Sequence, residues 1–496
     1  MSELILAIDQ GTSGTKSVLF DPNAQILSRW DIESQSYFPQ PGFVEQDPLE
    51  LYENTLTSVN YCIYEAAKNN TDVVSRIRAI GISNQRETFL LWDKKGNPLC
   101  NAIVWQCKRS IPVCERLKGS VVEEEIKKRT GLLLDPYFSG AKLAWIIENL
   151  PKVKNAVAGG EAYFGTVDTW LLFKLTHGNS YYTDFTNAAR TLLYNIHTLD
   201  WDETLIRAFG AEGIKTPMAV PSSFGFGSTD FGGTLPAPVP ITGMIGDSHA
   251  AAFGDGCFHP GQAKATLGTG SSILCNTGSA PSVSEHGMVT TICWSMEDRL
   301  DYALEGIIVT CGATIKWLRD QLGLFSSNAE IETIASTLDN NGGVYLIPAF
   351  SGMGAPHWKM DARASIVGLT FGVDKKHVIR AALESVAYQI KDVISSMEKD
   401  SGISLSELKV DGGMTGNHWL MQMIADLLGV RVTTIGLEEV SALGAAYMAG
   451  LEAGIFKDIE ELSTLHTTAK YFDPNPEPAG LLENYAVWKS MIDKHC

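Results

Sequence analysis

Asp9–Lys16 (DQGTSGTK) is the first segment whose residue types could do chemistry. Its two glycines allow a tight turn that brings backbone N–H groups close to a phosphate, and Lys16 adds a positive charge. The hydroxyls of Thr12 and Ser13 are further phosphate donors, and Asp9 could hold Mg²⁺ directly or through water. The segment is not a Walker A motif, because a threonine separates the second glycine from the lysine. For this segment alone, a plain glycine-rich hairpin turn is an equally good interpretation.

Two later glycine-rich turns could contact the rest of a nucleotide. Gly268-Thr269-Gly270 stands at the tip of a predicted hairpin, which is a second place for phosphate oxygens. Gly412–Asn417 (GGMTGN) precedes a predicted helix, where a Gly-Gly turn lets adenine and ribose approach the backbone closely. Each turn alone is also explained as a plain hairpin or a plain strand-to-helix loop. The order and spacing of all three turns indicate a nucleotide site.

Short apolar strands must position these turns. Leu4–Ile8 and Ser17–Phe20 flank the first turn, and a third strand is predicted around Gln25–Ile32, so the first turn joins two strands of a hairpin. Ala79–Ser83 is a further apolar strand. Helical periodicity is clear in three segments, which are Leu49–Lys68, Lys142–Asn149 and Val378–Lys399. The mixture of strands and helices predicts an α/β fold.

The second half of the chain is predicted to repeat this plan. Residues Pro217–Pro240 are rich in Gly, Ser and Pro without a period, which predicts an exposed loop leading to a domain boundary. After this loop, Ile241–Ile245 is predicted to open a new strand that ends at Asp247. Ala263–Leu274 then forms a hairpin around the second turn. We therefore predict two α/β domains of similar plan, residues 1–250 and residues 251–496.

Composition narrows the class of protein. A chain of 496 residues is too long for one hydrophobic core, and 45% hydrophobic with 19% charged residues excludes a disordered or fibrous chain. The formal net charge of −18 argues against binding to nucleic acid or to an anionic membrane. The N-terminus lacks the features of a secretory signal, and no apolar run is long enough to span a bilayer. The nine scattered cysteines, without a C-x-x-C pair, fit neither a disulfide framework nor a zinc site.

The three turns, in this order, resemble those of the actin-like ATPase superfamily and, within it, the FGGY carbohydrate kinases. Tyr137–Asn149 is similar to the first signature of that family, and Ser365–Lys391 to the second. Further segments resemble the glycerol kinase branch of the family, and they are Asn84–Thr88, Ala102–Arg109, Asp135–Gly140, Gly165–Trp170, Thr183–Arg190, Asn195–Trp201, Gly354–Trp358 and Ser441–Gly450. The resemblance covers essentially the whole chain. It implies an α/β fold with two actin-like ATPase (ribonuclease H-like) domains flanking a catalytic cleft.

The resemblance also implies roles for individual residues. Asp247 would be the catalytic base that takes the proton from the attacking hydroxyl. The residues that would bind or line the substrate are Arg86, Glu87, Trp105, Tyr137, Asp247, Ser248 and Ser272. Those that would hold the nucleotide are Thr12, Ser13, Lys16, Thr269, Gly312, Lys316, Gly413 and Asn417, while Asp9 would lie near Mg²⁺. Residues 1–250 would then carry the substrate pocket and the first phosphate turn, and residues 251–496 the second phosphate turn and the adenosine site.

Three positions depart from the pattern that the resemblance implies. Ser248 stands where the family has Gln after the catalytic acid, and Ser272 where it has a Phe that lines the substrate site. Lys316 replaces a Gln near the nucleotide. Two serines in place of larger groups predict an enlarged pocket whose extra hydroxyls could bond a longer substrate. If neighbouring side chains fill the gap, the pocket stays the size of glycerol, and this alternative remains open.

The leading hypothesis is a kinase that uses ATP and Mg²⁺ to phosphorylate a terminal hydroxyl of a small polyol, with glycerol as the first expectation. One alternative is a kinase for a longer polyol or a ketose, such as erythritol, a pentitol or xylulose. Another is an actin-like or chaperone-like ATPase with a protein partner, which would not need Arg86, Glu87, Trp105 and Tyr137. We expect a soluble cytoplasmic enzyme that binds no nucleic acid, inserts into no membrane and forms a homo-oligomer, a dimer or a tetramer.

Overall fold

Strands and helices alternate along the part of the chain that the computed structural model describes, which is residues 2–69, 72–436, 439–465, 470–476 and 480–496. The strands are β1 (Leu4–Gln10), β2 (Gly14–Phe20), β3 (Ile26–Glu33), β4 (Glu45–Gln46), β5 (Ile77–Asn84), β6 (Phe89–Trp92), β7 (Ala102–Ile103), β8 (Tyr163–Thr166), β9 (Tyr182–Asp184), β10 (Tyr194–Asn195), β11 (Asp200–Trp201), β12 (Met218–Val220), β13 (Ser223–Thr229), β14 (Val239–Gly246), β15 (Gln262–Leu267), β16 (Ser271–Gly278), β17 (Val289–Met296), β18 (Arg299–Ile308), β19 (Tyr345–Ile347), β20 (Ser365–Val367), β21 (Glu407–Asp411), β22 (Arg431–Thr434) and β23 (Lys470–Phe472). The helices are α1 (Pro48–Asn69), α2 (Val73–Arg76), α3 (Ile111–Leu117), α4 (Val121–Thr130), α5 (Ser139–Asn149), α6 (Pro151–Ala158), α7 (Val167–Leu175), α8 (Phe185–Ala188), α9 (Glu203–Ala208), α10 (Asp247–Gly254), α11 (Gly312–Asp320), α12 (Asn328–Ser336), α13 (Lys375–Ser401), α14 (His418–Leu428), α15 (Val440–Glu452), α16 (Ile459–Ser463) and α17 (Leu481–His495).

The first large sheet has six strands in the order β13-β14-β5-β1-β2-β3. The β1–β2 hairpin is antiparallel, whereas β5 runs parallel to β1 and β14 runs parallel to β5. The central strands β1 and β5 are mostly apolar and almost completely buried because helices cover both faces of this sheet. The three strands and the hairpin predicted around the first turn are therefore confirmed. The predicted helices are confirmed as well, as α1, α5 and α13.

The second large sheet repeats this plan in the order β17-β18-β16-β15-β21-β22-β23. Its β15–β16 hairpin is antiparallel and matches β1–β2, while β21 and β22 continue in parallel from β15. The predicted repeat of architecture is thus confirmed. The prediction that Ile241–Ile245 opens the second repeat is wrong, because β14 pairs with β5 in the first sheet. A buried apolar strand would fit the centre of either sheet, and its sequence does not say which one it joins.

The region Pro217–Pro240, predicted as an exposed loop, instead contains β12 and β13. Strand β13 pairs with β14 at the edge of the first sheet, with an irregular register between Ser223 and Gly227. Phe226 from this strand is fully buried in the core. The sequence pattern does not predict this strand for two reasons. Its glycine and serine residues are typical of loops, and the bulge interrupts the alternation that identifies a half-buried strand.

Helix α15, from the second half of the chain, packs on strands β5 and β14 of the first sheet. A Cβ atom on Gly81 would lie 2.2 Å from the carbonyl oxygen of Ala445, and one on Gly444 would lie 1.8 Å from that of Ala250. Both contacts require glycine, since any side chain would collide with backbone. The two halves are therefore joined through backbone-to-backbone packing directly behind the strands that carry the site.

No helix in the described ranges has both the length and the apolar character needed to cross a bilayer. All nine cysteines are free thiols, and seven of them are buried.

Candidate active site

Arg86 is the centre of the proposed substrate end of the site. It follows β5, and its side chain is only 4% exposed. Its Nε donates to Asp247 Oδ1 at 3.1 Å, and its Nη2 donates to Ser248 Oγ at 3.1 Å and to Glu305 Oε1 at 2.8 Å. Its Nη1 is buried and has no hydrogen-bond partner among the described residues. The two N–H groups of this nitrogen are thus left for a ligand, since buried donors in folded proteins are normally bonded.

Glu87 lies beside Arg86 in the left-handed region, with φ of 62°. A non-glycine residue adopts this conformation at an energetic cost, and the Glu87 side chain pairs with Arg190, whose Nε donates to Glu87 Oε1 at 2.6 Å. The Oγ of Ser139, at the start of α5, donates to the Glu87 carbonyl at 2.8 Å and fixes the turn. Burial raises the pKa of Glu87, against the opposing charges of Arg190 and Arg86.

Sequence analysis missed two residues of this cluster, Arg190 and Glu305. Glu305 comes from β18 of the second sheet, and its Oε2 lies 2.7 Å from Arg190 Nη1. Neither atom has a hydrogen-bond partner among the described residues, so this contact is an ion pair without a hydrogen bond. Burial alone would raise the pKa of Glu305, but Arg190 and Arg86 hold it well below its usual range. A single glutamate inside the apolar strand sequence YALEGII is the signal that could have identified it.

Asp247, the predicted base, is the first residue of α10 and lies at the end of β14. Its side chain is 37% exposed, whereas the Arg86 side chain that donates to it is almost completely buried. Its Oδ1 also accepts from the N–H of Ser248 at 2.6 Å. One carboxylate oxygen is therefore held by the protein while the group as a whole remains accessible to a reactant.

Trp105 and Tyr137, the predicted apolar wall, contact each other edge to face with ring centroids 5.4 Å apart. The buried Lys142 of α5 supports both of them, because its Nζ donates to the carbonyl of Tyr137 at 2.5 Å and to that of Trp105 at 3.2 Å. Burial lowers the pKa of Lys142 to about 7. The indole Nε1 of Trp105 donates to Thr12 Oγ1 at 2.8 Å, which links this wall to the first glycine turn.

The two serines that depart from the family pattern are both bonded within the protein. Ser272 Oγ donates to Glu305 Oε1 at 2.9 Å, and Ser248 Oγ accepts from Arg86 Nη2. The extra hydroxyls expected to face a longer substrate are therefore already engaged by charged side chains. The larger groups of the family are replaced here by hydrogen bonds to the buried charges.

The first glycine turn joins β1 to β2, with a hydrogen bond of 2.9 Å from the Gly11 N–H to the Gly14 carbonyl. Ser13 at its tip is exposed. Lys16 Nζ donates to Glu439 Oε2 at 2.9 Å, so the predicted phosphate-binding cation is held by a carboxylate from the second half of the chain. Asp9 Oδ1 accepts from Ser83 Oγ at 2.9 Å. Burial and the charge of Asp247 raise the pKa of Asp9 to about 6.

The second turn is built against helix α11. The exposed Thr269 accepts hydrogen bonds at its carbonyl from the N–H groups of Cys311, at 2.9 Å, and Ala313, at 3.1 Å. A Cβ atom on Gly312, the first residue of α11, would lie 2.6 Å from the Gly268 carbonyl oxygen, so only glycine allows this approach. Lys316 lies exposed on the same helix.

The third turn lies beside the second one. Gly412 has φ of 94°, and a Cβ atom there would lie 2.6 Å from the carbonyl oxygen of Leu267, the residue before the second turn. Gly413 is exposed. Asn417 caps helix α14, since its Oδ1 accepts from the Leu420 N–H at 2.9 Å, while its buried Nδ2 has no partner in the described part of the chain. The structure thus brings the second and third turns together.

The predicted site residues form two groups. Arg86, Asp247, Ser248 and Ser272 are connected by hydrogen bonds through Arg86 and Glu305. Thr269, Gly312 and Gly413 belong to the adjoining second and third turns. The first turn adjoins the Arg86 group, because Thr12 bonds to Trp105 and Asp9 lies within electrostatic range of Asp247.

Comparisons with known proteins identify a family that matches both halves of the chain. The FGGY carbohydrate kinase N-terminal domain matches residues 4–254, and the C-terminal domain of the same family matches residues 263–453. "Glycerol kinase 2" of Thermotoga maritima is 44% identical over 99% of this chain and 98% of its own length. "Glycerol kinase" of Carboxydothermus hydrogenoformans is 45% identical over 99% of this chain and 97% of its own length.

A solved structure has the same fold over its full length. The crystal structure of Plasmodium falciparum glycerol kinase with ADP is 36% identical in sequence and superposes with a TM-score of 0.93. The match covers 100% of this chain and 98% of the Plasmodium chain. This match confirms the predicted α/β fold with two actin-like ATPase domains. The chain belongs to the FGGY family of carbohydrate kinases.

Proposed function

We propose that this chain is an ATP-dependent glycerol kinase, which transfers the γ-phosphoryl group of ATP to a terminal hydroxyl of glycerol and forms glycerol 3-phosphate. The proposal is supported by relatives of that printed name over nearly the whole chain. The observation that carries it is the unpartnered, buried Nη1 of Arg86, in a side chain that also bonds the accessible Asp247. A polyol needs both donors and acceptors, and this site offers a guanidinium beside carboxylates.

The residues of the substrate end have different roles in phosphoryl transfer. Arg86 and Glu87 hold the hydroxyls, and Trp105 with Tyr137 packs against the carbon chain. Asp247 accepts the proton of the attacking hydroxyl as the new bond to phosphorus forms. Because Arg86 binds both the base and the substrate, it fixes the hydroxyl close to its proton acceptor before ATP reacts. Such positioning is the main contribution that a protein makes to phosphoryl transfer.

The nucleotide would be held by the three turns. Thr12, Ser13 and Lys16 contact the phosphates from the first turn, and Thr269 contacts them from the second. Gly312, Lys316, Gly413 and Asn417 line the adenosine. The unpartnered Nδ2 of Asn417 supports this assignment, since it is a buried donor beside an exposed glycine turn.

Asp9 and Asp247 fit a magnesium ion. Burial and the negative charge of Asp247 raise the pKa of Asp9, so the two carboxylates lie within electrostatic range of each other and a divalent cation would offset their repulsion. The described residues contain no cluster of three or more metal-ligating side chains, so phosphate oxygens and water would complete the shell, as is usual for Mg²⁺. When bound, Mg²⁺ would neutralise negative charge on the phosphoryl oxygens.

We further propose that residues 1–250 and 251–496 close around the two substrates, because an open site would let water attack ATP. Solution scattering with glycerol and a non-hydrolysable ATP analogue should show a smaller radius of gyration than the free protein. An unchanged radius would contradict closure. We also infer a cytoplasmic enzyme and a dimer or tetramer, and light scattering on the purified protein tests the oligomeric state.

A coupled assay with a panel of polyols tests the proposed function. We expect the highest kcat/KM for glycerol, with erythritol, pentitols and xylulose far below it. A longer polyol or ketose that reacts best would replace glycerol as the substrate, and Ser272→Phe should then shift preference towards glycerol. Turnover that needs a protein and no polyol would instead indicate an actin-like or chaperone-like ATPase.

A further inference from the structure

Five charged side chains of the site form a continuous series of ion pairs with alternating sign, which is called the charge chain below. Asp247 pairs with Arg86, Arg86 with Glu305, Glu305 with Arg190, and Arg190 with Glu87, with contacts of 3.1, 2.8, 2.7 and 2.6 Å respectively. The three inner members are almost completely buried, at 4% exposure or less. The charge chain ends at Asp247, the proposed base, on one side and at Glu87, the proposed substrate-binding carboxylate, on the other.

Glu305 is the only inner member with negative charge, and it comes from β18 of the second sheet. Its two oxygens hold two different arginines of the first half of the chain. Without its charge, Arg86 and Arg190 would face each other as buried cations, and each would be free to turn away from its outer carboxylate. Removing one partner from a buried ion pair is costly because the other charge remains without compensation.

We propose that Glu305 is a positioning residue for the phosphoryl transfer: it locks Arg86 against Asp247 and Arg190 against Glu87, and so sets where the acceptor hydroxyl lies relative to its base. This inference rests on the proposed function. It adds a residue of the second half to a substrate site whose other charged members lie in the first half.

Ser272 supports the same carboxylate. Its hydroxyl donates to Glu305 Oε1, the oxygen that also accepts from Arg86. Ser272 therefore influences the substrate through Glu305 and Arg86, without a direct contact being needed. Loss of its hydroxyl should loosen Glu305 but leave the charges in place.

The test is Glu305→Gln, compared with the matched control Glu384→Gln. Glu384 also forms a buried pair with an arginine, since its Oε1 accepts from Arg380 Nε at 2.8 Å, but it lies on α13 outside the site. In Glu305→Gln we expect kcat/KM for glycerol to fall roughly 10²-fold with a raised KM for glycerol, because misplacement by about 1 Å has that effect. The KM for ATP should stay within about 3-fold of the parent. Glu384→Gln should leave both KM values unchanged.

Each outcome decides the inference. It is overturned if Glu305→Gln keeps the parent KM for glycerol, if the KM for ATP rises equally, or if Glu384→Gln causes the same loss. If Glu305→Gln shows no cooperative thermal unfolding transition, the variant is not folded and Ser272→Ala is the test instead. In Ser272→Ala we expect the KM for glycerol alone to rise about 3-fold or more. An unchanged KM for glycerol overturns the inference. The parent is assayed first, so failure to phosphorylate glycerol would count against the proposed function. The variants are then compared on the polyol that does react.

Discussion

The two ends of the site differ in how their polar groups are held. At the substrate end, Arg86, Glu87 and Glu305 are buried and paired with opposite charges. At the nucleotide end, Thr269 and Gly413 are exposed, and the turns that carry them are fixed by backbone contacts. The polar groups of the proposed substrate end are therefore held by contacts within the protein, whereas the proposed nucleotide end offers mainly backbone.

This difference predicts where substitutions matter. A buried charge that is held by several partners cannot be replaced without disturbing all of them. An exposed side chain on a backbone-built turn contributes little by itself. Substitutions at the substrate end should therefore change kcat and the KM for glycerol strongly, and those at the exposed nucleotide end should change the KM for ATP weakly.

The largest effect is expected for Asp247→Asn. The amide keeps the size of the side chain but cannot accept the proton, so kcat should fall by roughly 10²–10⁴ with little change in the KM for ATP. Steady-state kinetics with both substrates measures this. Turnover within a few-fold of the parent would remove Asp247 from the mechanism. The series of ion pairs from Asp247 to Glu87 would then contain no catalytic base.

A smaller effect is expected for Lys16→Met, in the first glycine turn. Loss of one charge-assisted contact to phosphate should raise the KM for ATP about 10- to 100-fold, with the KM for glycerol nearly unchanged. Arg29→Met is the control, because Arg29 Nη1 pairs with the same Glu439, at 3.3 Å, but lies on β3 away from the turn. An equal rise in both variants would show that Lys16 acts only through Glu439.

Lys142→Met tests the preorganised substrate end through the pH dependence of stability. The unfolded chain binds a proton at this lysine up to pH of about 10, whereas burial lowers the pKa in the folded state to about 7. Between these values the unfolded state binds more protons, so Lys142 makes the parent more stable as pH rises, by at most about 1.4 kcal/mol per pH unit. Below pH 7 both states are protonated, and the contribution is flat.

The measurement is denaturant unfolding of parent and variant between pH 6 and pH 9. The free energy of unfolding of the parent, minus that of Lys142→Met, should rise with pH above about 7. A difference that does not change with pH would mean that Lys142 is charged in the folded protein and has found an acid partner. The KM for glycerol should also rise in the variant, since the carbonyls of Trp105 and Tyr137 lose their shared donor.

The smallest effect is expected for Lys316→Gln. Lys316 is exposed on α11, so its replacement should change the KM for ATP by less than about 3-fold. Titration of ATP into both proteins at low and moderate salt is a second measure. A change above about 10-fold would show that the nucleotide end depends on exposed charge, and the contrast between the two ends would then fail.

Much of this arrangement could be predicted from the sequence because the signals are local. Apolar runs beside glycine turns identified both hairpins, and periodicity identified the long helices. Strand β14 was assigned to the wrong repeat because strand pairing is set by tertiary packing, which a single apolar run does not record. Strand β13 was missed because glycines and a bulge break its alternation.

The charge chain could not be predicted for a different reason. Arg86 and Glu305 are separated by 219 positions, and nothing near either residue identifies its partner. A glutamate in an apolar strand signals that it is buried and compensated, but it does not say by which cation. Four side chains that the family resemblance implies are connected by hydrogen bonds through Arg86 and Glu305, and they are Arg86, Asp247, Ser248 and Ser272. The supporting residues Arg190, Glu305 and Lys142 have no local sequence signal of their role.

The packing of α15 on the first sheet has a consequence for biosynthesis. The chain leaves the ribosome from its N-terminus, and the glycine-lined surface of β5 and β14 is complete long before residues 440–452 are made. Until then, mostly apolar strands that are almost completely buried in the finished protein lack the helix that covers them. A fragment that ends near residue 254 would expose this surface and should aggregate. The first half of the chain therefore completes its fold only after the chain has been synthesised as far as helix α15.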